Sequence, residues 1–156
     1  MTAAAAHTAA SPINRCLTFG SGTECYAVDI KMVREIVDLL PTTVVPRLPP
    51  EVLGVTNLRG RILPVFDFDA LLGLPRRHLE SGCTIVIDVG AISVGVVADR
   101  VMGVVQPGEI TKDVPDVDLH VDREFLHGIC VFDEVPHIFL HLDKLVAKTG
   151  LVANNG

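Results

Sequence analysis

The sequence overlays on itself. The stretch YAVDIKMVREIV at 26–37 aligns with VGVVADRVMGVV at 94–105, so that Val28 meets Val96, Val33 meets Val101, Val37 meets Val105 and Ala27 meets Gly95. A second pair follows in the same order. Gly54–Val55 and Gly128–Ile129 each open a hairpin pattern that ends in an aspartate, Asp67 or Asp143, before a short helical pattern. Val-rich hairpins resemble one another, so either window alone says little; two in one order point to an internal duplication. The implied architecture is two small β-barrels of about five strands each, packed together. Strands this short and numerous need closure, because open edges would invite aggregation.

A pass along the chain gives the strands. RCLTFGSGTECYAVDI reads as two strands joined by a small-residue, glycine-bearing turn, and KMVREIVDLL follows as a third. PTTVVPRLPP carries too many prolines for a central strand. GVTNLRGRILPVF is a hairpin from about Gly54 to Phe66. Asp67 or Asp69 then caps a short helix, DALLGL, that Gly73 ends. PRRHLESG is a polar linker. TIVIDVGAISVGVVADRV turns at about Val89–Ala91, MGVVQPGEI continues it, and HGICVFDEVPHIFLHL turns at Asp133–Glu134. Asp143 starts a last helix. Residues 1–14, Ala-rich and without a basic start or long apolar run, read as a flexible tail rather than a signal peptide; 149–156 read as a second tail.

Composition excludes several functions. At 49% hydrophobic residues with 4% aromatics and no Trp, Val, Ile and Leu must do the packing, which leans towards β structure. A net charge of −6 opposes general nucleic-acid binding, which needs a basic face. Every apolar run is cut by Asp, Arg, Gly or Pro well before the roughly 20 residues that cross a bilayer, so no direct membrane insertion is expected. The cysteines Cys16, Cys25, Cys83 and Cys130 form no C-x-x-C pair and read as reduced core thiols, although Cys16 and Cys25 flank one hairpin and could lie close. His137 and His141 have helical spacing but fall in a strand pattern, so no metal or other cofactor is implied.

The stretch GVTNLRGRILPVFDF, 54–68, places Asn57, Arg59 and Arg61 around Gly60 at the tip of an apolar hairpin. Arg59 has three readings. It is a solvated tip residue, with Gly60 supplying a positive φ; or a phosphate ligand, for which one Arg-Gly-Arg is poor material; or a protein contact or structural ion pair, with Glu35 a candidate partner. On a strand, Val33 and Glu35 share one face and Arg34 and Ile36 the other. Val33 and Ile36 each admit a core reading, stronger for Ile36. Asp67, Asp69 and Asp99 read as caps and turn residues, and no nucleophile motif accompanies them, so no catalytic residue is assigned.

These motifs resemble the CheW family of chemotaxis coupling proteins. The similar residues are Tyr26-Ala27-Val28-Asp29-Ile30, then Val33-Arg34-Glu35-Ile36, then the Asn-Leu-Arg-Gly-x-Ile-x-Pro run within Gly54 to Asp67, and Val94-Gly95-Val96-Val97 with Asp99 and Val101. The resemblance covers about 15–148. It implies an all-β fold, two packed SH3-like five-stranded barrels with short helices; the first is expected at about 15–73 and the second at about 82–135, with the C-terminal segment able to return to the first. It implies a non-catalytic cytoplasmic adaptor, monomeric alone, held at the inner face of the membrane in receptor arrays. Its partners would be the cytoplasmic signalling tip of chemoreceptors, a helical hairpin, and the regulatory domain of a CheA-type histidine kinase. Adaptors of other chemosensory pathways, such as those serving twitching motility, share the fold; a small ligand-binding barrel is the reading from another class. The receptor groove of the family lies between the barrels, which implies receptor binding by Val33, Glu35, Ile36, Gly54 and Arg59. Kinase contacts would lie at barrel ends, with no residues assigned. The family usually continues Pro-x-x-Asp-Leu-Arg, whereas here Asp67 is followed by Phe68 and Asp69, an acid where a base is common. The usual arginine's contact, and with it partner choice, would change.

Overall fold

The computed structural model describes residues 13–75, 81–111 and 121–151. The tail expected at 1–14 therefore lies outside the described residues except for Ile13 and Asn14, as does the tail expected at 149–156 beyond Leu151. The strands are β1 (Cys16–Ser21), β2 (Glu24–Asp29), β3 (Val33–Asp38), β4 (Val52–Leu58), β5 (Arg61–Asp67), β6 (Cys83–Val89), β7 (Ile92–Ala98), β8 (Arg100–Val105), β9 (Leu126–Phe132) and β10 (Val135–Leu140). Two short helices follow hairpins, α1 (Phe68–Leu71) after β5 and α2 (Leu142–Ala147) after β10. Asp67 caps α1 by accepting from Ala70 N, and Gly73 leaves it with φ +81°. The cap of α2 is His141, with Asp143 in its first turn.

The strands form two five-stranded, SH3-like barrels, ordered β8-β1-β2-β10-β9 and β3-β6-β7-β5-β4. Most neighbours are antiparallel; β10 runs parallel to β2 and β5 parallel to β7. This corrects the expected division at 15–73 and 82–135. The second barrel is the continuous stretch from β3 to β7, and the first is built around it from β1 and β2 before and β8 to β10 after. Sequential pairing is the usual habit of strands, but here the chain changes barrel twice. It does so through the 3-10 turn Ile30–Met32 and through Asp99 between β7 and β8.

The duplication explains the two orders. Matching β1–β5 with β6–β10 turns one strand order into the other. Each barrel thus takes the first hairpin of one repeat and the last three strands of the other. The irregularities repeat too. Arg34 is the extra residue where β3 bulges against β6, and Met102 where β8 bulges against β1. Isolated bridges Thr43↔Val55 and Thr111↔Ile129 cover the starts of β4 and β9. At both places a glycine sits under a threonine: a Cβ on Gly54 would stand 2.5 Å from Thr43 O, and one on Gly128 2.8 Å from Thr111 O.

The main core is shared by the barrels. Leu17, Phe19, Tyr26 and Val28 of the first pack with Phe66, Ile85, Ile87, Val94 and Val96 of the second. Phe68 of α1 sets its ring edge against Phe19 at 4.9 Å and Tyr26 at 4.7 Å between centroids. Strand alternation sends the residues between these to a smaller cluster, where Cys16 and Ala27 meet Cys130 and Phe139. All four cysteines are free, Cys16 and Cys130 fully buried, and Cys16 neighbours Cys130 rather than Cys25.

Candidate functional site

The β4–β5 hairpin closes in two residues, Arg59 with φ 52° and Gly60 with φ 84°. Two successive positive φ values match the twist of a tight hairpin, and glycine serves the second without a Cβ clash. Asn57 Oδ1 accepts from Gly60 N at 2.8 Å and holds the turn. This aims Arg59 across the open side of the second barrel at β3, where Nη1 donates to both carboxylate oxygens of Glu35 at 2.6 Å. The pair ties the two edge strands, β3 and β4, of that barrel together. The Arg59 side chain is 66% exposed and that of Glu35 27%. It is a wet ion pair, of a kind that contributes little to folding.

A second polar group stands beside it. Arg34, projected by the bulge, donates through Nε to Asp88 Oδ1 at 3.1 Å, and Ser93 Oγ donates to the same oxygen at 2.8 Å. Asp88 and Ser93 face each other across β6 and β7. The serine hydrogen bond, and after it the Arg34 guanidinium, hold the Asp88 carboxyl below its usual range despite partial desolvation. Arg34, Arg59 and Arg61 rim a cavity of about 200 Å³ whose apolar wall is Leu58, Leu63 and Val86.

Of the five residues expected to bind a receptor, two meet. Glu35 and Arg59 are paired, and Val33 and Ile36 lie on the same strand. Their burial differs from expectation: Ile36 is 42% exposed, while Val33 is half-buried and packs on the shared core. The core reading belongs to Val33. Gly54 does not join them; it is buried at the far end of β4 beneath Thr43. The cavity beside Glu35 and Arg59 is walled by strands of one barrel, not by a groove between two. Asp69 is buried, and accepts a short hydrogen bond from Ser21 of the first barrel. It faces inward, where it links the barrels, instead of standing on a partner surface.

The sequence reading missed Arg34, Asp88 and Ser93. The signal was present in the β6–β7 hairpin, since a turn at Gly90–Ala91 sets Asp88 opposite Ser93. Strand alternation set Arg34 on the face of Ile36 and gave no sign of the β3 bulge at Arg34 or of its partner Asp88. Among the described residues no group of three or more His, Cys, Asp or Glu is arranged to hold a metal ion, and no helix is long and apolar enough to cross a membrane.

Comparison with known proteins adds a family to this geometry. Residues 15–150 match the model of the CheW-like domain. A probable chemotaxis protein CheW of Rhizobium etli is 33% identical over 135 residues, covering 85% of this chain and 87% of that one. Protein FrzA of Myxococcus xanthus is 35% identical over 101 residues, 60% of this chain and 59% of that one. The crystal structure of the scaffolding protein TtCheW from Thermoanaerobacter tengcongensis superposes with a TM-score of 0.75 at 29% identity, covering 85% of this chain and 91% of that one.

Proposed function

Since the chain belongs to the family of CheW-like domains, which matches it over residues 15–150, we propose that it is a chemotaxis coupling protein. It joins the signalling tip of chemoreceptors to the regulatory domain of a CheA-type histidine kinase and performs no chemistry of its own. The observation that carries this reading is the placement of the family's motif run. Its Arg59 leaves the hairpin tip to meet Glu35 of the other motif strand, beside the apolar wall of Leu58, Leu63 and Val86. Apolar surface rimmed by charge is the anatomy of a protein interface. The 200 Å³ cavity there falls below the roughly 300–1,000 Å³ of small-molecule sites, which opposes a small-molecule site at this place.

Titration of the protein with a receptor signalling-tip fragment, and separately with the kinase regulatory domain, tests the proposal. Binding to both is expected, and binding to neither overturns it. Arg59→Ala is expected to lower receptor affinity while the melting temperature stays close to wild type, because the ion pair it breaks is exposed.

A further inference from the structure

We propose that Arg61 anchors a carboxylate of the partner, an Asp or Glu side chain on a polypeptide segment whose neighbouring aliphatic side chain fills the cavity beside it. The proposal rests on the receptor reading above and adds the chemistry of the segment that is bound.

Charge accounting at the cavity mouth leads to Arg61. Arg59 is committed to Glu35 and Arg34 to Asp88. Arg61, exposed on β5 opposite Leu58, has no ion-pair or hydrogen-bonded side-chain partner among the described residues. Asp88 is the acid whose field it feels, and that carboxylate already accepts from Arg34 and Ser93. Among the described residues three guanidinium groups thus face two carboxylates, which leaves one positive charge without a paired acid there on a protein of net charge −6. An arginine fork is matched best by a carboxylate, which it can hold in two places.

The floor says what accompanies the acid. Leu58, Leu63 and Val86 offer apolar surface in a cavity of about 200 Å³, a volume suited to one side chain rather than to a small molecule. On a helix, an aliphatic residue and an acid three or four positions apart would present both groups from one face.

The other repeat shows that the fold does not require these charges. Its hairpin closes with Phe132 opposite Val135, as Leu58 stands opposite Arg61. Val135 therefore occupies the place of Arg61, Met102 that of Arg34 and Gly103 that of Glu35. The first barrel closes the same way without the arginine cluster.

The test is titration of the full-length chain, wild type and variants, with the receptor signalling-tip fragment, with the kinase regulatory domain as an internal control. Arg61→Ala is expected to lose about tenfold in affinity for the tip, in line with a charge-assisted hydrogen bond. Its kinase affinity and melting temperature should match wild type, and its tip binding should depend less on salt. Arg61→Lys, keeping the charge without the fork, should fall between. Arg61→Glu should lose more, and one acid-to-lysine change on the tip should restore it. Wild-type tip affinity in Arg61→Ala and Arg61→Glu overturns the proposal and leaves the receptor reading standing. So does an Arg61→Glu defect that no acid-to-lysine change on the tip repairs. A wild-type protein that ignores the tip overturns the receptor reading itself, and the anchor with it.

Discussion

Val33 shows how one residue's environment changes what its substitution measures. It packs against the shared core, so Val33→Asp would put a carboxylate against apolar surface, at a cost of several kcal/mol. The expected outcome is a lowered melting temperature with loss of receptor and kinase binding together. A variant that melts normally and loses the receptor alone would return Val33 to the interface. Cys16 and Cys130 make a second prediction. Burial first, then the neighbouring Cys130 and Asp29, push the Cys16 thiol from 9.0 up to about 12, and burial pushes Cys130 up to about 11. Both thiols hold their protons more tightly folded than unfolded. Their stabilisation is complete below about pH 9 and is lost as pH rises through 11 and 12. Melting curves from neutral to alkaline pH should therefore fall less steeply in the Cys16→Ala/Cys130→Ala variant than in wild type, and equal slopes would refute the assignment. Reading the sequence located Arg59 and offered Glu35 as its partner, because a hairpin tip and a motif strand are local features. It could not assign Val33 or Ile36, whose exposure depends on which barrel covers which face.

Glycines mark the ends of the β4–β5 hairpin for different reasons, and their substitution should separate the reasons. Gly60 has open space where a Cβ would go but φ +84°, so Gly60→Ala carries only the left-handed cost of about 1–2 kcal/mol. Gly54 has the Thr43 carbonyl 2.5 Å from that position. Gly54→Ala is therefore expected to force strand and covering segment apart, at about 1–3 kcal/mol, on top of the backbone strain of its φ of +156°. Urea unfolding should rank Gly54→Ala as the more damaging, and Gly54→Ala should bind its partners normally once folded. The reverse order would mean that Thr43 yields easily. At this scale the sequence was readable wherever a turn carried glycine or Asp-Glu. It was not readable at the Arg34 and Met102 bulges, since one extra residue leaves no mark on a Val-rich alternation.

Strand order along the chain was legible, but strand partnership was not. The 3-10 turn Ile30–Met32 looks like any short hairpin connection, yet the chain leaves one barrel for the other there. The self-overlay pointed to two units without showing that they trade hairpins. A cut within 76–80 tests the exchange. Each barrel draws strands from both sides of that segment, so the two pieces should co-elute as one folded particle in size-exclusion chromatography. Separate elution would disprove the interleaving. The same feature bears on how such a protein could pass anything on. Two backbone crossings join the barrels, and both are pinned. Asp99 accepts from Gly22 N at 2.7 Å and donates its own N–H to Gly20 O at 3.2 Å, while Asp29 accepts from Lys31 N at 3.0 Å. A hinge needs residues free to absorb changes in φ and ψ, and neither crossing supplies one. On the proposed coupling function the molecule is expected to act as a ruler and not as a lever, holding a partner docked on one barrel at a set distance and angle from a partner docked on the other. Movement in such an assembly has to originate in the docked proteins.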